Sequence, residues 1–385
     1  MSAGLAALCG VWLLGVALAA SQTPQDKPLM SEEFFKNVQV LKGIPVDEFL
    51  DTMGMFSAAT GLNCTDCHIP ESGGSWARYA DDSPLKRTTR RMMAMVNNIN
   101  ASNFGGRRVL TCYSCHNGNR RPNAIPSLAA QYAVDPIIED PYEVLQAPGA
   151  PSADTVLDKY VQAVGGATRL TSFTSVVAKG TYRGFDDAET YPLEIFAKAP
   201  NQRTTILHSQ YGDMTTTYDG RSGWLAAPAE TKPAPVMALT GGNLEGAGVD
   251  AELSFPGHIK QVLRGWVVGP LTLIDDREVR IVQGKKANGS PIKLYFEEES
   301  GLLVRLVRYS DSPVGRVPTQ IDYEDYRDVS GIKIPFKWTS TWTDGRTVFE
   351  LRSVEMNARI DATRFAKPTA PTSPVAGYGL PPAIR

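Results

Sequence analysis

Cysteine and histidine are scarce in this chain, with 5 and 4 copies among 385 residues. Cys9 lies inside an apolar N-terminal run, preceded by Leu8 rather than a small residue, which argues against a lipid-modified cysteine. The other cysteines all fall in two short motifs, so no thiol remains for structural disulfides. Charge of one sign is also lacking: 39 Lys and Arg stand against 41 Asp and Glu, a net charge of −2. With a pI near 6.2 and no tract of like charge, nucleic acid is excluded as an expected partner. No Ser/His/Asp set, clustered carboxylate pair or phosphate loop stands out, so no catalytic residues are assigned. Only one long hydrophobic run occurs, Gly4 to Ala20, and no Lys or Arg precedes it. Residues 1–20 read as a signal peptide cut after Ala19 or Ala20, placing the protein outside the cytoplasm, in the periplasm; an uncleaved anchor is the other reading. At 41.8 kDa the chain has room for two domains, each with its own core.

What is present is concentrated between Cys64 and His116. Cys64-Thr65-Asp66-Cys67-His68 and Cys112-Tyr113-Ser114-Cys115-His116 are two CxxCH pentads. In such a pentad the two thiols are spaced to form thioethers with the vinyl groups of one haem, and the adjoining imidazole reaches the iron. The expectation is two covalently bound haem c groups, attached at Cys64, Cys67, Cys112 and Cys115, with His68 and His116 as iron ligands. A zinc site built from the thiols, or two CxxC disulfides, would leave unexplained why a histidine follows each second cysteine.

Around the pentads the spacing predicts helices. Ser31 followed by Glu32 and Glu33 starts one through about Leu41, and Gly43 and Pro45 break it. A second begins at Pro45 or Val46, carries Val46, Phe49, Leu50, Met53 and Phe56 on one stripe, and ends before Gly61. Met55 is roughly 200° round that helix, off the face holding Phe49 and Met53. Ser83 and Pro84 open a third, with Leu85, Thr88, Thr89, Met92, Met95, Val96 and Ile99 on its apolar face and Met93 rotated about 100° away. Met53, Met92 and Met95 are each either core side chains or sixth iron ligands. Lys86, Arg87, Arg90 and Arg91 form a basic opposite face, while Arg107, Arg108, Arg120 and Arg121 either pair with haem propionates or stay solvated.

The strings Met53-Gly-Met-Phe-Ser-Ala-Ala-Thr-Gly-Leu-Asn-Cys64, Lys86-Arg-Thr-Thr-Arg90-Arg91-Met92-Met-Ala-Met95-Val-Asn-Asn-Ile99-Asn100 and Leu110-Thr-Cys112-Tyr-Ser-Cys115-His116-Asn-Gly118 resemble the cytochrome c subunit of photosynthetic reaction centres, over residues 30–126. The resemblance implies that a methionine on the helix before each pentad supplies the sixth ligand, at positions that correspond to Met53 and Met92, with Met95 the alternative to Met92. The best-known members of that family carry four haems in two halves, and this chain matches one half. One family haem takes a second histidine from far along the sequence; the spare imidazoles here, His208 and His258, read as structural.

Residues 127–151 are rich in proline and read as a linker between a domain at 29–126 and another at 152–368, with a tail at 369–385. Ser152 or Asp154 caps a helix that ends at Gly165-Gly166. Ten stretches from Ser175 to Val354 then alternate with period two, the pattern of a large antiparallel sheet. Asn288-Gly289 and Asp344-Gly345 are expected at positive-φ hairpin turns. The fold class expected is α+β: a mostly helical dihaem cytochrome c domain, then a curved antiparallel sheet with a packed helix. Asp219-Gly220-Arg-Ser-Gly223-Trp224, Gly301-Leu-Leu-Val-Arg305 and Tyr323-Glu-Asp-Tyr326-Arg327-Asp328-Val-Ser-Gly331 resemble the half-barrel of periplasmic lipoprotein-localisation carriers, which implies a lipid ligand; a docking or spacer module with a filled interior is the alternative. The reading is an electron carrier, not an enzyme, that serves redox protein partners such as a membrane electron-transfer or reaction-centre complex. A dihaem peroxidase, or a redox-sensing lipid-binding protein, is the competing class.

Overall fold

The computed structural model describes residues 27–125, 144–185, 187–286 and 289–371. The expected leader, residues 127–143 of the linker, residues 372–385 of the tail and Asn288 lie outside the described residues. Among the described residues no helix is long and apolar enough to cross a membrane.

Two long helices carry the N-terminal segment, α1 (Val46–Thr60) and α2 (Pro84–Phe104). α1 follows Pro45 and stops at Gly61, whose φ of 67° is the left-handed conformation glycine adopts without cost. α2 is capped by Ser83, whose hydroxyl accepts from Lys86 N at 3.1 Å. The helix expected from Ser31 to Leu41 is much shorter, only Ser31–Phe34. The Ser31 hydroxyl donates to Leu41 O at 2.6 Å, and Asn37 takes φ 60°, so the chain folds back instead of continuing.

The C-terminal part begins with α3 (Ala153–Ala163), capped by Ser152. Thirteen strands follow: β1 (Ser175–Gly184), β2 (Tyr191–Lys198), β3 (Gln202–Ser209), β4 (Gly212–Tyr218), β5 (Gly223–Ala226), β6 (Val236–Ala238), β7 (Arg264–Ile274), β8 (Arg277–Lys285), β9 (Pro291–Glu297), β10 (Leu303–Ser312), β11 (Gly315–Val329), β12 (Ile332–Trp342) and β13 (Gly345–Met356). They pair in the order β6-β5-β4-β3-β2-β1-β13-β12-β11-β10-β9-β8-β7. Two antiparallel meanders are thus joined where β1 meets β13, leaving β6 and β7 as the edges of a curved sheet that does not close. The fold class matches the expectation from the alternating pattern.

A helix that the sequence pattern did not announce, α4 (Gly241–Leu253), leads from edge strand β6 towards edge strand β7 and packs on β3, β4, β5 and β10. Leu157 and Val164 from the α3 region, Val249 from α4, then Phe255 and Ile259, meet Leu294, Phe296 and Leu306 of the sheet in one core. Phe255 and Phe296 are 2% and 1% exposed. Burial of each side chain stabilises the fold by roughly 1.5–3 kcal/mol. Strands β5, β6 and β7 were also unexpected. The Asp344 hairpin forms, with Thr343 and Asp344 between β12 and β13 but without positive φ, whereas Asp275 and Asp276 between β7 and β8, and Ser330 and Gly331 between β11 and β12, take positive φ values.

The N-terminal segment rests against this sheet. Asp47 of α1 is 5% exposed, and its carboxylate accepts from Thr240 N at 2.6 Å and Thr240 Oγ1 at 2.7 Å, capping the start of α4 from another part of the chain. Asp51 accepts from Asn243 Nδ2 at 2.8 Å and from Ser310 Oγ at 3.3 Å. Trp76 Nε1 donates to Ala229 O, and Arg108 donates to Ser312 O. A cavity of about 300 Å³ lies in the junction, lined by Ile44, Glu48, Arg108, Glu245, Tyr309 and Asp311 among others. Burial pushes the Asp51 and Glu48 carboxyls up, with Asp47 adding repulsion to both. Residues 144–150 of the expected linker lie along the edge of the sheet: Ala147 N donates to Val268 O at 2.9 Å and Val144 N to Gln283 Oε1 at 2.9 Å.

Candidate haem-attachment sites

Each pentad forms a single helical turn held by the same local device. Asn63 Oδ1 accepts from Asp66 N at 3.0 Å while Asp66 Oδ2 accepts from Asn63 N at 2.8 Å, opening the turn Cys64–Cys67. Thr111 and Ser114 make the equivalent exchange, at 3.3 and 3.1 Å, ahead of Cys112–His116. A helical turn brings residues three apart onto one side, so each capping box sets a pair of thiols on a common face. All four cysteines are free thiols, Cys64 and Cys115 exposed and Cys67 and Cys112 half-buried. Burial pushes the half-buried Cys67 and Cys112 thiols up, which keeps them protonated. The disulfide reading is therefore set aside. Among the described residues no group of three or more His, Cys, Asp or Glu is assembled to hold a metal ion, which weighs against the zinc reading as well.

The imidazoles share a second device. His68 Nδ1 lies 3.0 Å from Tyr79 O, and His116 Nδ1 lies 2.9 Å from Asn119 O. A carbonyl only accepts, so in each ring Nδ1 carries a proton and Nε2 is the nitrogen left to face another partner. Fixing one ring nitrogen on a backbone carbonyl orients the other towards a metal. Tyr79 packs on His68 with ring centroids 4.7 Å apart, and Trp76 packs on Tyr79 at 5.1 Å. Burial, then the Lys86 charge, pulls His68 below the usual histidine range, so the ring stays neutral. Paired thiols on one face beside an imidazole whose Nε2 is uncommitted fit covalent haem. Cys64, Cys67 and His68 would hold one group and Cys112, Cys115 and His116 the other.

The methionines divide by burial. Met55 and Met93, which the spacing set off the apolar faces, are 7% and 4% exposed, packed with Leu41, Val314 and Val317; Met53 is half-buried beside that cluster, as is Cys112. Met92 and Met95 stand outward, 38% and 45% exposed. The correction has a physical cause: the turn between β10 and β11 covers the Met55 and Met93 side of the two helices, a neighbour that periodicity alone does not reveal. The basic face is corrected too. Lys86 and Arg90 turn inward, with side chains 13% and 16% exposed, while Arg87 and Arg91 face solvent. Arg108 is committed to the junction rather than to a propionate, and the charge of Arg120 acts on Cys67, across from its own pentad. His208 is held by Asp213 at 2.7 Å on neighbouring strands, and His258 packs beside Phe255.

These features form two candidate seats for covalent haem on a segment that rests against a large antiparallel sheet. Residues 15–137 match the family described as photosynthetic reaction centre cytochrome C subunit. The photosynthetic reaction center cytochrome c subunit of Thermochromatium tepidum is 36% identical over 96 residues, which are 24% of this chain and 22% of that relative. The chain thus spans about a fifth of that relative's length. Among solved structures, a LolA superfamily protein from Nitrosomonas europaea aligns with 57% of this chain and 99% of its own, at 15% identity and a TM-score of 0.38. A DUF1329 family protein from Desulfovibrio piger aligns with 56% of this chain and 98% of its own, at 11% identity and a TM-score of 0.39.

Proposed function

We propose that the protein is an exported, periplasmic dihaem c-type cytochrome that relays electrons and is not an enzyme. The observation that carries this reading is the repeated imidazole anchor, Nδ1 on a backbone carbonyl at 3.0 Å in one pentad and 2.9 Å in the other. When bound, each haem supplies a one-electron iron couple. The chain's part is to staple the group through Cys64 and Cys67 or Cys112 and Cys115, to present Nε2 of His68 or His116, and to close the opposite side with a thioether. Met53 and Met92 are the proposed sixth ligands, with Met95 the alternative to Met92 because both stand outside the packed seam. With the Met53 and Met92 thioethers opposed to His68 and His116, neither site would keep a place for substrate, which favours electron carriage over peroxidase chemistry. The partners proposed are redox proteins, a membrane electron-transfer or reaction-centre complex among them. The sheet serves as a docking module in this reading, since its packed helix and core fill the face that would hold an acyl chain.

Mass spectrometry of the exported chain tests the proposal: two haem additions are expected, and one or none overturns it. A high-spin iron that binds cyanide readily in the purified protein would overturn pure electron transfer, and lipid co-purifying in native mass spectra would overturn the assignment of the sheet.

A further inference from the structure

Resting on the reading of the first pentad as a haem seat, we propose that Lys86 is a positioning residue for His68 and makes the Cys64–His68 site the higher-potential one of the pair. The Tyr79 carbonyl that accepts from the His68 ring at 3.0 Å also accepts from Lys86 Nζ at 2.9 Å. The same ammonium donates to Asp81 O at 2.8 Å and Ala80 O at 3.3 Å, closing the carbonyl end of the Trp76–Ala80 turn. Its charge is incompletely answered. Asp82 Oδ1 lies 4.0 Å from Lys86 but holds Arg90 at 2.8 Å, and Asp81 holds Arg78 at 3.0 Å, so three cations face two carboxylates.

A carbonyl engaged by an ammonium is a weaker base towards a second donor, so His68 Nδ1–H is held less strongly than it would be by Tyr79 O alone. The ring then keeps less imidazolate character, and its Nε2 gives less electron density to a metal. That loss and the surplus positive charge act in the same direction, favouring the reduced iron. His116 differs. Its acceptor, Asn119 O, lies in an exposed turn, and among the described residues no ammonium shares that carbonyl.

The experiment is an optical redox titration of the full-length, haem-loaded chain, with haem count checked by mass. In Lys86→Met the higher of the two potentials is expected to fall by roughly tenfold in its one-electron equilibrium constant, about 59 mV, while the lower one stays. The hyperfine-shifted proton NMR signal of His68 Nδ1–H is expected to move and that of His116 to remain, and Lys86→Arg is expected to restore most of both. Asp82→Asn, an exposed change that leaves the turn intact, is expected to raise the same potential. A wild-type chain with fewer than two haems overturns the dihaem reading itself. With two haems present, shifts that are absent, equal at both sites, or confined to the lower potential overturn the role of Lys86.

Discussion

Burial separates the methionines of the two long helices into two jobs, and substitutions can tell them apart. Met93 is 4% exposed, so Met93→Ala is expected to lower stability by about 2–5 kcal/mol in denaturant unfolding, with the visible spectrum of the loaded protein unchanged. Met92→Ala is expected to do the reverse: little change in stability, loss of the weak sulfur-to-iron absorption band of one haem, and a lower potential there. Met53→Ala is expected to remove the band of the other haem. A spectrum untouched by either change removes that residue from the ligand set. Asp47 has a third kind of job, since its carboxylate takes both the N–H and the hydroxyl of Thr240. Asp47→Ala is expected to cost about 1–2 kcal/mol in chemical unfolding, because the N–H and hydroxyl of the half-buried Thr240, the residue that opens α4, lose a charged acceptor.

At the scale of elements, what the sequence revealed follows from where the signal lies. The pentads, the capping serines Ser83 and Ser152, and ten of the strands announce themselves through spacing, caps and alternation, because those depend on residues a few positions apart. α4 does not: its run Gly-Gly-Asn-Leu-Glu-Gly-Ala-Gly-Val-Asp-Ala-Glu-Leu contains four glycines and no clear apolar stripe. Gly242, Gly246 and Gly248 answer to the sheet rather than to the helix. A Cβ on Gly242 would fall 2.5 Å from Ser310 Cα, and one on Gly246 would fall 2.6 Å from Arg308 Nε. Gly242→Ala, favourable by helix propensity alone, is therefore expected to destabilise by about 1–3 kcal/mol through overpacking, read as a lower melting temperature. The buried side of α1 escaped notice for the same reason. Asp47, Asp51 and Thr52 look like a solvated face until the partners Thr240, Asn243 and Ser310, some 190 residues or more away, are in place.

For the molecule as a whole, the junction between the cytochrome segment and the sheet ties stability to pH. Asp51 and Glu48 have carboxyls raised by burial, so the unfolded chain gives up those protons at lower pH than the folded one. Their contribution is unfavourable at neutral pH and is relieved as pH falls through the raised values towards the ordinary carboxylate range. Asp51→Asn removes the larger part of that relief, so its melting temperature is expected to gain less, or lose more, than the parent's on mild acidification; a profile identical to the parent's would contradict the assignment.

The same contact has a consequence for how the protein avoids itself. Val46 of α1 is buried with Ala234 and with Met237 of β6, and Phe34, Phe35, Leu50 and Leu225 close round them. The redox segment therefore doubles as a guard on one rim of the sheet, where an uncovered strand invites a second chain to pair. A chain shorn of its first 125 residues would bare that rim and is expected to greet its own copies, read as a rise in apparent mass by light scattering.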